Sequence, residues 1–219
     1  MRLPDRERAC TMSSITVIGS GNMARGIGAR AVAADYDLQI LDRDANKAAA
    51  LAEELGAGEA GAVGDALTGE IVVLAVPFEA ASDVVSLYAG ALDRKVLVDI
   101  TNPVDFSTFA GLTVPIDTSG AQEIAKAAPT GTRVVKAFNT TFAGPLVNGE
   151  VDGEVLDVLM AGDDDDAKAT LAAFVEAAGL RPIDVGGLSM AHWLEGLGLI
   201  GMAVAAESGN WGRIIKFLG

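Results

Sequence analysis

Residues 17–26 read VIGSGNMARG. An apolar run enters a glycine-rich turn and leaves it into a stretch with helical spacing. Gly19 suits a tight turn, and Gly21 lets backbone approach a phosphate with no Cβ in between. Ala24 stands where the dinucleotide-binding pattern takes glycine or alanine so that a helix can pack close to a sheet. The unpaired N–H groups at such a helix start, together with the helix dipole, suit a pyrophosphate. That reading asks for a strand before the turn, a helix after it, and an acidic residue about twenty positions on. All three are present: SITVIGS (14–20) reads as a strand, Asn22 to about Ala34 as a helix, and Asp42 closes a second strand, DLQILD (37–42). Asp42 suits the two ribose hydroxyls of NAD and would repel a 2′-phosphate. Arg43 and Lys47 stand beside it and would hold that phosphate, because an arginine fork matches phosphate geometry. At this point the choice between NAD and NADP is open.

The rest of the chain keeps the alternation. ANKAAALAEELG (45–56) reads as a helix stopped by Gly56, and residues 57–69 are glycine-rich and ambiguous. EIVVLAVP (70–77) is a strand closed by Pro77, followed by a helix from about Glu79 to Ala89. KVLVDITNP (95–103) is the next strand. A helix near 119–128, strands at 132–139, 155–162 and 180–186, and an apolar helical end at 188–218 complete the pattern. Alternation at this spacing, with continuously apolar strands, predicts an α/β fold: a Rossmann-type doubly wound parallel sheet with a smaller C-terminal α/β and helical lobe. The expected division is a disordered leader over 1–12, a nucleotide-binding domain over 13–140, and a lobe over 141–219 that completes the acceptor site and forms a dimer interface. Met12, just before the first strand, is a candidate true start. No internal repeat is visible.

Composition narrows the function. The 219 residues carry 30 acidic against 16 basic side chains, a net charge of −14, which argues against nucleic acid and anionic membranes as partners. A solvated acidic shell in a salt-rich cytoplasm and an ordinary acidic enzyme both fit that charge. The single cysteine, Cys10, excludes an internal disulfide and a cysteine metal site. No apolar stretch approaches the ~20 residues of a membrane span, and the opening residues lack the apolar region of a signal peptide. A cytoplasmic protein is expected.

Several separated segments resemble one family, the NADP-dependent oxidoreductases of the deazaflavin coenzyme F-420. They are GSGNMARG (19–26), DRDANKA (42–48), LAVPFEAASDV (74–84), AGDDDDAK (161–168), GLRPIDVGGLS (179–189) and IKFL (215–218), and the likeness spans most of 14–218. The resemblance implies NADP as cofactor and coenzyme F-420 as co-substrate. It implies that Ser20, Gly21, Asn22 and Met23 border the pyrophosphate, next to Gly19 of the turn, and that Arg43 and Lys47 contact the 2′-phosphate, with Asp42 beside them. Phe78 and Ser82, after the strand ending at Pro77, and Val104 would line the nicotinamide side, with Ala143 completing the pocket near the reacting rings. Asn139 and Thr140 are candidates on another ground: they close a strand in the second half of the sheet, where ligands gather at carboxyl ends. The chain departs from the family in two places. Asp42-Arg43 stands where members tend to carry Ser-Arg, and Asn139 where they carry histidine. VVKAFNT (134–140) is instead similar to the cytosolic reductase domain of membrane ferric reductases.

Hydride transfer between two rings needs positioning rather than a nucleophile, and the sequence offers no evident acid–base pair. Under this reading no residue is catalytic in its own right. The only histidine, His192, reads as a helix-surface or core-edge residue rather than a ligand, and Glu195 as a residue that holds its helix. Asp163 to Asp166 read as a solvated helix start before a metal site. GLGLIGMAVAA (196–206) needs a covering surface, and its small residues permit close helix contact, which predicts a homodimer, with burial within one subunit as the alternative. The leading function is NADPH:F-420 hydride transfer. An NADPH-dependent flavin or ferric reductase, and a dinucleotide-binding sensor without turnover, are the alternatives.

Overall fold

The computed structural model describes residues 13–56 and 58–218. The expected leader, Cys10 and the alternative start at Met12 lie outside the described residues. In chain order the elements are β1 (Ser14–Ile18), α1 (Asn22–Ala33), β2 (Asp37–Asp42), α2 (Ala45–Leu55), β3 (Glu59–Ala62), β4 (Ile71–Leu74) and α3 (Phe78–Leu87). There follow β5 (Val96–Asp99), α4 (Gly120–Ala127), β6 (Arg133–Lys136), α5 (Ala143–Asn148), β7 (Glu150–Val151), β8 (Glu154–Val155), β9 (Asp157–Gly162), α6 (Asp165–Ala177), β10 (Arg181–Asp184) and α7 (Ala191–Ser208).

Local chemistry sets the boundaries. Asp44 caps α2 by accepting from the Asn46 N–H, and Gly56 ends it at φ +68°. Ser119 caps α4 and Asp164 caps α6 in the same way. The sheet runs β10-β9-β6-β5-β4-β1-β2-β3. Its first six strands are parallel, in the order 3-2-1-4-5-6 of a dinucleotide-binding sheet. The expected parallel arrangement holds for β1 to β6, and β9 and β10 run parallel to each other. β9 pairs antiparallel with β6 and carries β10 beside it, so the C-terminal segment extends the same sheet. β9 starts at the end of the sheet where β6 finishes, and the connection, which carries α5 and the β7–β8 hairpin, does not cross to the opposite end.

Successive strand residues feed opposite faces. Ile15, Val17, Ile71 and Val73 pack with Ala24, Ile27 and Phe174 on one side, while Ile18, Val72 and Leu74 pack with Val84, Val85 and Ile124 on the other. Burial on both faces explains why these strands read as unbroken apolar runs.

Two sequence expectations are corrected at the C-terminus. The helix does not run to 218. α7 stops at Ser208, Gly209 takes φ +63°, and residues 210–218 are not helical. Leu188–Ser208 is also long and apolar enough by composition to cross a membrane, with a mean hydropathy of 1.3. The sequence reading missed this because Glu195 and the glycines interrupt the apolar run. In the fold one stripe of α7 (Leu194, Glu195, Gly198, Met202, Ala205) is buried against the protein, and Glu195 is fully enclosed.

Candidate active site

The carboxyl ends of β1, β2, β4, β5 and β6 open onto a cleft of two hollows that share Ala75, Val76 and Pro77 as a common wall. Such a position, where strand order reverses, is where doubly wound sheets take ligands.

The first hollow, about 360 Å³, is lined by Gly19, Ser20, Gly21, Asp42, Arg43 and Lys47 together with Val63, Ala80 and Val84. Its two glycines do different work. Gly19 sits at φ +120°, and a Cβ there would lie 2.1 Å from the Ala75 carbonyl oxygen, so the fold itself requires glycine. Gly21 has extended backbone, φ −76° and ψ −173°, and a Cβ there would meet nothing within 4 Å. The fold tolerates a side chain at 21, and the space it would fill is open cleft. Gly21 also begins α1 with no side-chain cap and no acid in the first turn, so the helix-start N–H groups are left for an anion. These features fit a pyrophosphate.

Both oxygens of Asp42 are engaged. The Ser20 hydroxyl donates to Oδ2 at 2.7 Å, and the Asp44 N–H to Oδ1 at 2.9 Å. Burial pushes its carboxyl up, but those hydrogen bonds and nearby Lys47 outweigh burial and hold it below the usual aspartate value. Asp42 therefore braces the glycine turn, while Arg43 and Lys47 remain exposed on the same wall.

The second hollow, about 440 Å³, is lined by Asn22, Met23, Pro77, Phe78, Ile100, Thr101, Asn102, Asn139, Ala143, Met202 and the aromatics Phe106, Phe138, Phe142 and Trp211. No titratable side chain is among them. Asn102 and Asn139 pair across its floor. Asn139 donates Nδ2 to Asn102 Oδ1 at 3.0 Å and to the Leu194 carbonyl at 2.9 Å, and Asn102 donates Nδ2 to the Asn139 carbonyl at 2.9 Å. α7 reaches this pair because residue 198 is glycine, where a Cβ would lie 2.7 Å from Asn102 Oδ1. Asn139 Oδ1 and Thr101 Oγ1 are buried without a hydrogen-bond partner, which suits a polar ligand group more than an empty wall.

The family model for NADP oxidoreductases dependent on coenzyme F-420 matches residues 14–103. The F-420-dependent NADP reductase of Methanothermobacter marburgensis is 33% identical over 197 residues, covering 81% of this chain and 85% of that protein. The chain belongs to the coenzyme F-420-dependent NADP oxidoreductase family. The metalloreductase STEAP3 of Rattus norvegicus is 32% identical over 186 residues, 84% of this chain, but the chain spans only 36% of that protein. A solved structure from Arthrobacter sp. FB24, described provisionally as an F-420-dependent NADP reductase, superposes with a TM-score of 0.83 at 26% identity. It covers 94% of this chain and 99% of its own.

Most residues expected from the sequence of this oxidoreductase converge on the cleft. Gly19, Ser20, Gly21, Asp42, Arg43 and Lys47 line one half, Asn22, Met23, Phe78, Asn139 and Ala143 the other, and Pro77 both. Ser82, Val104 and Thr140 line neither. Ser82 lies one turn beyond Phe78 on α3, Val104 is buried in a bridge with Leu112, and Thr140 is buried beside Asn139. His192 binds the Thr118 carbonyl through Nδ1 at 2.7 Å and is absent from both linings. The aspartate run divides its work: Asp164 caps α6, Asp163 accepts from the Leu188 N–H, and Asp165 pairs with Lys168.

The sequence reading missed Phe106, Phe142, Met202 and Trp211 on the wall of the second hollow, and a buried charge cluster behind it. Lys136, fully enclosed, donates to Asp99 Oδ2 at 2.8 Å and to the Thr101 carbonyl at 2.5 Å, and pairs with Glu195 Oε1 at 2.9 Å. Glu195 in turn accepts from the Gly120 and Ala121 N–H groups at the start of α4. The expectation that Glu195 holds its helix is met, and it ties α4 and α7 to the strand ends that carry Thr101 and Asn102. Removing the ammonium leaves two buried carboxylates facing each other without a counter-charge. Lys136→Met is expected to lose roughly 3–5 kcal/mol of stability in urea unfolding. An unchanged midpoint would show that the cluster is not held by its charges.

Proposed function

We propose that this NADP-dependent oxidoreductase transfers hydride between NADPH and a flat tricyclic acceptor, with coenzyme F-420 as the partner. The observation that carries the reading is the joined cleft: a cationic, glycine-lined half for a phosphorylated nucleotide, continuous with an apolar aromatic half whose lining has no titratable group. NADPH and a deazaflavin ring would themselves supply the reactivity, a hydride donor and an electron-poor ring carbon.

The chain's own residues bind, orient and dry the site. Arg43 and Lys47 would neutralise a 2′-phosphate and offset the charge of Asp42 beside them, which supports NADP as the nucleotide. The Gly21 gap and the α1 N–H groups would receive the pyrophosphate. Met23, Phe78 and Ile100 exclude water around the rings, and Asn139 Oδ1 and Thr101 Oγ1 offer an acceptor and a hydroxyl to a ring amide. With no side-chain acid in the lining, any proton taken up by the reduced acceptor would come from solvent.

A second reading, NADPH-dependent reduction of free flavin or of ferric iron, draws on Asn139 within VVKAFNT and on the likeness to the metalloreductase. Turnover of NADPH with oxidised F-420, FMN, FAD and a ferric chelate in parallel separates the two. We expect F-420 to be reduced with kcat/KM at least about a hundredfold above FMN. Faster reduction of FMN or ferric iron would move the assignment to the second reading. Dinucleotide binding with no turnover of any acceptor would make the protein a sensor.

The proposal extends to a cytoplasmic homodimer and to Ser20, Asn22 and Ala143 as nucleotide contacts. Trp193, Ile200 and Val204 form an exposed apolar stripe on α7 and support the dimer.

A further inference from the structure

Beyond α7 the chain does not trail into solvent. Gly209 reverses it, and the Gly212 N–H is turned onto Asn210 Oδ1 at 2.9 Å. Trp211 is thereby set against Phe142, edge to face, with ring centroids 5.3 Å apart and planes at 80°. The indole stands between the aromatic hollow and a neighbouring groove of about 560 Å³ lined by Gly144, Pro145, Glu150 and Asp152, and it borders both. Its side is 47% exposed, in a wall where Phe138 and Ile100 are buried.

The far end of this strap is fixed by one buried carboxylate. Asp157, at the start of β9, accepts from the Phe217 N–H at 2.9 Å, lies 3.2 Å from Lys216 Nζ, and takes a two-pronged contact from Arg181 at 2.7 and 2.6 Å. Arg181 also donates to the Phe217 carbonyl, and Lys216 donates to the Val155 carbonyl at 2.6 Å. Burial pushes the Asp157 carboxyl up, but its hydrogen bonds from Arg181, Phe217 and Lys216 hold it below the usual aspartate value. Nothing in the nucleotide half uses Asp157. Its contacts secure the tail, and the tail carries Trp211 to the cleft mouth.

We propose that Trp211 is the specificity-determining residue for the acceptor: its indole packs on a flat, electron-poor ring seated beside the nicotinamide position, and Asp157 is the positioning residue that keeps the strap in place. The inference rests on the functional reading above. Its chemistry is that of aromatic contacts, which favour extended rings and do little for a compact acceptor. The hollow of the glycine turn, with Asp42, Arg43 and Lys47, does not include the tail, so the contacts proposed for the pyrophosphate and the 2′-phosphate are made without it.

The test compares the parent, Trp211→Ala and Trp211→Phe by equilibrium dialysis of oxidised F-420 with NADP present, alongside NADPH affinity and melting temperature. Trp211→Ala is expected to weaken F-420 binding about tenfold, with NADPH affinity changed less than about twofold and melting little moved, and Trp211→Phe to recover most of the loss. A chain ending at Gly209 should match Trp211→Ala in F-420 affinity. Equal F-420 affinity in the parent and Trp211→Ala overturns this inference alone. A parent that binds NADPH but not F-420 overturns both it and the functional reading.

Discussion

A Gly21→Val protein should fold and melt like the parent and yet lose at least about a hundredfold in NADPH affinity, ~2.7 kcal/mol, by titration calorimetry. Position 21 separates fold from function because its backbone is extended and its missing Cβ points into open cleft. Valine is comfortable in extended backbone, so the native chain has no steric reason to reject it. A branched side chain would stand in the path of the pyrophosphate and cover the N–H groups at the start of α1. Gly19 makes the contrast, since its glycine is demanded by the Ala75 carbonyl and a positive φ whether or not a ligand is present. Wild-type NADPH affinity in a folded Gly21→Val protein would mean that the glycine turn does not hold the nucleotide.

Arg43→Ala should weaken NADPH by roughly ten- to a hundredfold, equivalent to about 1.5–3 kcal/mol for a charge-assisted contact, and leave NADH nearly unchanged. Arg43 and Lys47 are exposed and lie on the hollow that also receives the glycine turn. NADH lacks the 2′-phosphate and gives the internal control. Equal losses for both nucleotides would assign Arg43 another role, and Asp42 would then stand as the ribose-binding acid of an NAD enzyme.

The parts of this account that were legible in the sequence are those where one local requirement dictates the residue. Gly19 and Gly21 declared the turn, the unbroken apolar runs declared strands covered on both faces, and Asp42 with Arg43 declared the end of β2. β3 was illegible because EAGA is largely exposed and carries no β-branched residue; it is ordered by its register against β2. Lys136 was illegible for another reason. A lysine inside VVKAF ordinarily faces water, and only the meeting of residues 99, 136 and 195 in space encloses it. The acceptor wall falls between these cases. Phe142 follows Asn139 at the end of β6 and was within reach of the rule that ligands gather at carboxyl strand ends. Trp211 had no local signal, because its place depends on the reversal at Gly209 and on Asp157 some fifty residues earlier. The reversed pair β9–β10 was hidden in the same way, since strand direction is a property of the connection and not of the strand.

Direct hydride transfer is the central claim, and NADPH deuterated at the transferring position of C4 tests it with least interpretation. Incubated with the protein and oxidised F-420, it should place the deuterium on the ring carbon of reduced F-420, one label for each NADPH consumed, as read by mass spectrometry. Reduced F-420 without deuterium, or NADPH consumed with the F-420 left oxidised, would contradict the account.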